Sequence, residues 1–408
     1  MSKIRDRKIV IFLMFVFCNL MMFSNENLQL EKVVIFSRHG LRSPLTSPGS
    51  RLSKVTPYEW ENWDVPASHL TKKGAILETY FGQYINDWLI QNEVIKKGEC
   101  LSPDNAQIYT NSLQRTIATG QSLTTGIFPG CDIKTEHKME IGKMDPVFNP
   151  VITTDNAKFK EEALKGMNLK KQNQELKGSY SLLSDVINYT KSEECLKEGK
   201  CKFFNEEGTL KIEKDKEPGV DGPIKLGTQI GDALLLQYYE GYPLDKIAGN
   251  NINTREKWQK ITDIKNGYED LLFATEKVAK NVAAPLIKYI YNDISSSNHK
   301  VTVLVGHDSN LVAMFAALGF KDYKLEEQVE KTPIGGKVFF EIWKDKKTGE
   351  RKVKVEYIYQ TLSQIRETQK LTRENPPKHT VLEMKNCKID RGGYCPYSKF
   401  MAELKKFN

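Results

Sequence analysis

The sequence predicts an α/β protein, a three-layer α/β/α core around a mostly parallel sheet that carries a mainly helical insert. Three observations lead to that class. Three β-rich runs, Lys32–Ser37, Ala106–Thr110 and Val301–Val305, each pass through a polar turn into a helix-compatible segment. The first and third of these runs are almost continuously apolar, the pattern of strands covered on both faces. From about residue 145 to 253 the chain turns to lysine- and glutamate-rich helical segments broken by the turn-rich Lys216–Pro223. At 408 residues there is room for one large domain, or a core with an insert. With 39% hydrophobic and 27% charged residues and no internal repeat, the composition suits a packed globular chain and argues against extended disorder.

Taken in order, the chain opens with a basic segment (Lys3, Arg5, Arg7, Lys8), an apolar run from Ile9 to Phe23 and an abrupt polar turn at Ser24–Asn27. This is the pattern of a secretory signal peptide over residues 1–24. The apolar run falls short of the roughly 20 residues that span a bilayer, so no stable membrane anchor is expected. The core follows as residues 25–144 and 254–408, with 145–253 as the insert lying over the site. Thr71–Lys97 reads as a long packing helix: Thr71 can cap it, and Ile76, Leu77, Tyr80, Phe81, Tyr84, Ile85, Trp88 and Leu89 form a stripe at helical spacing. Helices are also expected over Thr116–Leu123 and Leu311–Leu318. Near the C-terminus, Thr332–Trp343 and Arg351–Thr361 alternate like antiparallel edge strands joined at a Lys-Thr-Gly turn, with Gly335-Gly336 as a candidate bulge.

Loss of the leader removes Cys18 and leaves six cysteines, an even number that favours disulfides in an exported chain. Proximity suggests Cys100–Cys131, Cys195–Cys201 and Cys387–Cys395, although other pairings stay open. No Cys-x-x-Cys spacing supports a zinc site. The net charge of +8 falls to +5 once Lys3, Arg5, Arg7, Lys8 and Asp6 leave. The lysines are interspersed with glutamates, as in Lys170, Lys171, Glu175 and Lys177, with no basic block interleaved with aromatics, so a nucleic-acid partner is not expected. The sequence carries no signal for an oligomeric state.

In parallel sheets covered by helices, ligands bind beyond the carboxyl ends of the strands. The turns at Arg38-His39-Gly40-Leu41-Arg42, Asn111–Arg115 and Gly306–Asn310 should therefore gather at one sheet edge, although about 270 residues separate the first from the last. Guanidiniums beside His39 would lower its pKa and keep it neutral and nucleophilic, while offering a multi-donor clamp for a tetrahedral oxyanion. Phosphate fits that clamp. Gly40 would allow a sharp turn and a close approach of the anion. Arg115 and His307 add donors. Asp308 suits a general acid for the leaving oxygen, provided the pocket raises its pKa. Taken singly, each residue has a duller explanation: a lone histidine at a strand end is often structural, and a His-Asp dipeptide is common. The string Arg-His-Gly-x-Arg-x-Pro, with five fixed positions, is far more specific.

With the distant His307-Asp308, that string is similar to the signature of the histidine acid phosphatases, in the branch of bacterial periplasmic glucose-1-phosphatases and phytases. The resemblance is greatest to the glucose-1-phosphatases and spans nearly the whole mature chain. It includes "NSLQRT" at 111–116, "FPGCDI" at 128–133, "MDPVFNPVIT" at 144–153, "EPGV" at 217–220, "LQYYEG" at 236–241 and "TPIGGK" at 332–337. One departure is Gly40, where asparagine is expected in the nearest branch. The resemblance implies a phosphoglycerate-mutase-like core and a periplasmic enzyme that needs neither metal nor cofactor. It hydrolyses small phosphomonoesters, glucose 1-phosphate first and phytate to some extent, in two steps. His39 would form a phosphohistidine; Arg38, Arg42, Arg115 and His307 would hold the phosphate oxygens; Asp308 would protonate the leaving alcohol; Glu217 would restrict entry. A phytase or broad acid phosphatase is the nearest alternative. A phosphohistidine mutase shares the Arg-His-Gly strand end, but the leader and Asp308 argue against it. A non-catalytic anion binder would not need the acid.

Overall fold

The computed structural model describes residues 27–45, 50–204 and 207–408; the leader expected over residues 1–24 lies outside them. Among the described residues there are ten strands: β1 (Leu28–Arg38), β2 (Ala106–Thr110), β3 (Thr135–Glu136), β4 (Leu210–Lys211), β5 (Gly219–Val220), β6 (Val301–Gly306), β7 (Lys337–Asp345), β8 (Arg351–Tyr359), β9 (Lys378–Val381) and β10 (Tyr394–Pro396). Eight form one sheet in the order β10-β8-β7-β1-β6-β2-β3, with β9 also on β8, and β4 and β5 make a separate ribbon. The half that matters for function is parallel: β1 pairs with β6, β6 with β2, and β2 with β3.

The alternation of side chains across this sheet explains the three layers. Val33, Ile35, Ile108, Val301, Val303 and Val305 point to one face and pack with Phe81, Ile85, Leu123 and Ile127 from the helices Lys72–Gln91 and Gln114–Ile127. Val34, Phe36, Tyr109 and Leu304 point to the other face. There they join a larger cluster with the helices Arg255–Phe273, Ala284–Ser296, Asp308–Leu318 and Tyr397–Lys405, continuous with the helices of the 145–253 segment. Val33 to Phe36 are all fully buried, which is why this run carries no polar alternation. The helix Pro223–Glu240 packs along Arg255–Phe273.

Several boundaries differ from expectation, each for a local reason. The long helix begins as expected, with Thr71 Oγ1 accepting the Gly74 amide at 2.9 Å, but it ends at Gln91 and not at Lys97. Ile76 falls off its apolar stripe and is exposed, while Glu78 lies on the buried face. β7 starts at Lys337 rather than Thr332, and it is an interior strand, antiparallel to both β1 and β8, not an edge. Gly335-Gly336 is a turn preceding β7 and not a bulge: Gly335 has a φ of +66°, its amide donates to His39 O at 3.0 Å, and Gly336 O accepts the Arg38 amide at 3.0 Å. Three disulfides, Cys100–Cys131, Cys195–Cys201 and Cys387–Cys395, follow the pairing suggested by proximity. Among the described residues, no helix is long and apolar enough to cross a membrane.

Candidate active site

The register of the parallel strands brings the turns together. Arg38 lies opposite Gly306 across β1 and β6, and Thr110 opposite Val305 across β2 and β6, so the residues that follow leave the sheet at the same edge. The His39 amide donates to Gly306 O at 3.0 Å, the Asn111 amide to Val305 O at 2.9 Å, and the Gly40 amide to Thr119 Oγ1 at 2.9 Å. Main-chain bonds to the neighbouring strand, and a bond from the Gly40 amide to the Thr119 hydroxyl on a helix, thus fix the strand end. The edge opens into a cavity of about 430 Å³ whose lining includes His39, Arg42, Arg115, Glu217, His307 and Asp308. Arg38 is fully buried behind it.

His39 Nδ1 sits 2.9 Å from Gly40 O. A carbonyl only accepts, so Nδ1 carries the proton and the Nε2 lone pair is free to attack. Burial first, then the charges of Arg115, Arg38 and Arg42, hold this imidazole well below the usual histidine range. The ring of His307 lies 5.6 Å away, edge to face. Its Nε2 accepts from Asn111 Nδ2 at 2.7 Å. That orientation of Asn111 is set because its Oδ1 accepts the amides of Ser112 (2.8 Å) and Asp145 (2.9 Å). On the other side of the ring, Arg115 Nη2, which can only donate, lies 3.4 Å from Nδ1. Burial and the charge of Arg115 keep His307 neutral, with its pKa lowered to about 3.

Arg42 donates to Asp232 Oδ2 at 3.1 Å and to Ser43 O at 3.0 Å, and Arg115 donates to Ser68 Oγ at 2.7 Å. Arg38 is held by Glu330 (2.8 Å), Thr332 O (2.6 Å) and Asp308 Oδ2 (3.0 Å). Each of the three guanidiniums keeps a buried Nε–H with no partner among the described residues. Buried donors are normally satisfied, so this set calls for an acceptor with several oxygens.

Two expectations change. Gly40 has no left-handed backbone, and a Cβ there would meet Glu78 Cγ at 2.8 Å and Leu70 Cδ1 at 3.1 Å. Its smallness serves packing against the helix Lys72–Gln91, where Glu78 pairs with the buried Lys337 at 2.8 Å. The carboxyl of Asp308 is not raised. Burial works against its charge, but Arg38 and Lys265 hold it well below the usual carboxylate range. The carboxyl beside it that burial does raise is Glu269. Glu217 is also raised, by burial and by the charge of Asp308, in the direction that lets it face an anion.

Sequence reasoning missed Asn111 as an orienting group, and it missed Asp232, Lys265, Glu269 and Glu330. Lys265 Nζ lies 2.6 Å from Glu330, 3.4 Å from Asp308, 3.6 Å from Asp232 and 3.7 Å from Glu269. The i, i+4 spacing of Lys265 and Glu269 reads as an ordinary surface pair on a helix, and only the packing reveals that both are buried. Among the described residues, no group of three or more histidine, cysteine, aspartate and glutamate side chains is placed to hold a metal ion.

A strand-end histidine with an unprotonated Nε2, set among arginines and beside an acid on a helix N-terminus, suits phosphomonoester hydrolysis. Residues 29–360 match the Histidine phosphatase superfamily (branch 2), and the chain belongs to that family. It is 45% identical over 378 residues to the glucose-1-phosphatase of Salmonella typhimurium, covering 92% of each chain. It is 43% identical over 382 residues to the glucose-1-phosphatase of Providencia rettgeri, covering 92% of this chain and 91% of that enzyme. Among solved structures, the apo form of Hafnia alvei phytase superposes with a TM-score of 0.87 at 29% identity, over 94% of this chain and 98% of that one.

Proposed function

We propose that this protein is an exported acid phosphomonoesterase that prefers small sugar phosphates, glucose 1-phosphate first, with slow turnover of phytate. His39 Nε2 attacks phosphorus while Arg38, Arg42, Arg115 and His307 hold the non-bridging oxygens. The P–O bond to the sugar breaks, and the leaving oxygen takes a proton from Asp308. Water then cleaves the phosphohistidine and frees phosphate. Three guanidiniums supply the charge stabilisation, so no metal is required. The 145–253 segment serves as the cap, contributing Glu217, Lys225, Thr228, Gln229 and Asp232 to the cavity wall.

The observation that carries the substrate choice is the charge of the wall. Among the described residues, the only basic one in the lining beyond the phosphate clamp and the carboxylate-locked Lys265 is Lys225, whereas Glu217, Asp232, Glu269 and Asp308 are acidic and Pro44, Leu45, Leu113, Met144 and Phe273 are apolar. A substrate with one phosphate and an uncharged body suits such a wall better than a polyphosphate. Identity of 45% to a glucose-1-phosphatase supports the same substrate. Three disulfides support an oxidising compartment, consistent with export to the periplasm.

The test is phosphate release at mildly acidic pH with EDTA present, from glucose 1-phosphate and phytate in parallel, with His39→Ala as control. Faster release from glucose 1-phosphate, insensitive to EDTA and absent in the variant, is expected. Faster release from phytate would move the protein to the phytase alternative. Phosphate binding without turnover would make it an anion binder.

A further inference from the structure

The reaction proposed above needs a proton on the leaving oxygen, yet Asp308 is clamped as an anion. Its Oδ2 lies 3.0 Å from Arg38 Nη2 and 3.4 Å from Lys265 Nζ, while 21% of its side chain remains open to the cavity. Behind it stands Glu269 on the helix Arg255–Phe273, buried, lining the same cavity and facing the same ammonium group as Asp308, with Lys265 Nζ 3.7 Å from Glu269 and 3.4 Å from Asp308. Two carboxyl groups gathered around one ammonium in a buried site hold one proton between them, because the charge of Asp308 adds to burial in disfavouring a second anion at Glu269.

We propose that Glu269 stores the proton that Asp308 delivers, so that the two carboxyls work as one acid. The surroundings of the pair favour that division. Lys265, one turn before Glu269 on the same helix, is 3.7 Å from Glu269 but 2.6 Å from Glu330, so its charge is committed elsewhere. Thr332 Oγ1 donates to Glu269 Oε2 at 3.0 Å, which leaves the other oxygen for the shared proton. Arg38 lies on the Asp308 side, and the rings of Tyr268, Tyr323 and Tyr357 bring no positive charge to the site. Burial then keeps the proton on Glu269 in the resting enzyme.

Binding of a phosphate monoester gives Arg38 a second anion to neutralise and loosens its hold on Asp308, so the proton moves from Glu269 to Asp308. As His39 forms the N–P bond and the P–O bond breaks, Asp308 passes that proton to the leaving oxygen. In the second half, Asp308 takes a proton from the attacking water and the pair is restored. The overall change is one water consumed for each ester cleaved. Glu269 acts through Asp308 and does not itself meet the substrate's reacting atoms.

This rests on Asp308 being the acid of the proposed reaction, and the test separates the two claims. For the wild type, Glu269→Gln, Glu269→Asp and Asp308→Asn, kcat/KM is measured against pH with an alkyl phosphate, whose leaving group needs a proton, and with p-nitrophenyl phosphate, whose leaving group does not. Glu269→Gln is expected to lose about tenfold or more on the alkyl ester and less than about threefold on the nitrophenyl ester. Its alkaline limb on the alkyl ester should move to lower pH, since Asp308 alone holds a proton less tightly, and Glu269→Asp should recover part of the loss. Equal losses on both esters, or none on either, would overturn the proton store in favour of a structural carboxyl. A selective loss in Glu269→Gln without one in Asp308→Asn would overturn Asp308 as the acid while leaving the hydrolase intact.

Discussion

At the scale of single residues, the site is a balance of charge arranged around neutral imidazoles. Arg115 is the largest charge acting on His39 after burial itself, and its own pKa is drawn down to about 10 by burial and by Arg42. A histidine whose pKa lies below its ordinary value stays unprotonated, and so nucleophilic, into the acid range. Removing one of the cations that depress it must raise that pKa. Arg115→Gln is therefore expected to shift the acidic limb of kcat/KM to higher pH, besides lowering kcat/KM overall through loss of a clamp donor. A lowered kcat/KM with an unmoved limb would show that Arg115 binds phosphate without tuning the nucleophile. His39, Arg38, Arg42, Arg115, His307 and Asp308 were legible in the sequence because each lies within a few residues of a strand end. Lys265, Glu269 and Glu330 were not, because nothing in a helical Lys-x-x-x-Glu pair or a lone glutamate says that packing will bury it.

At the scale of elements, two glycine helices hold the strand end. Gly82 and Gly126 meet where the helices Lys72–Gln91 and Gln114–Ile127 cross. A Cβ on Gly126 would stand 2.3 Å from Thr79 O and 2.7 Å from Gln83 N. Replacing glycine by alanine inside a helix usually gains about 1 kcal/mol, but here the obstacle is backbone that cannot rotate away. Gly126→Ala should destabilise the fold by about 1–3 kcal/mol, measured by urea unfolding. Gly178→Ala, on the exposed face of the helix Lys177–Val186 with nothing within 4 Å, should be neutral or stabilising. Equal behaviour of the two variants would remove close backbone contact as the reason for Gly126. The expected helix was found here from its stripe and its Thr71 cap; its end at Gln91 was not, because the residues beyond it form turns and carry no strong stop signal.

At the scale of the molecule, the Cys100–Cys131 disulfide joins two segments that lie outside the strands. Cys100–Cys131 ties the approach to β2 to the loop after the helix Gln114–Ile127, across a sequence separation of 31. Closing a loop of that length limits the unfolded chain by about 3–4 kcal/mol in the chain-entropy picture. A Cys100→Ser/Cys131→Ser double variant should lower the urea midpoint by a corresponding amount while leaving kcat/KM unchanged, because neither cysteine borders the cavity. An unchanged midpoint would mean that the hydrophobic layers alone limit the opening of this face.

The sequence by itself determined the class of fold, the three strand ends that meet at the site, the disulfide partners that proximity favours, and the histidines, arginines and aspartate gathered at that edge. Those signals are local: apolar runs, turns and short motifs that a linear chain displays in full. Only the tertiary structure decided which carboxyls are buried, which imidazole nitrogen is free, and that Asp308 shares its surroundings with Glu269 and Lys265. Protonation depends on the distance and desolvation of groups far apart in the chain, and those are fixed when the layers close.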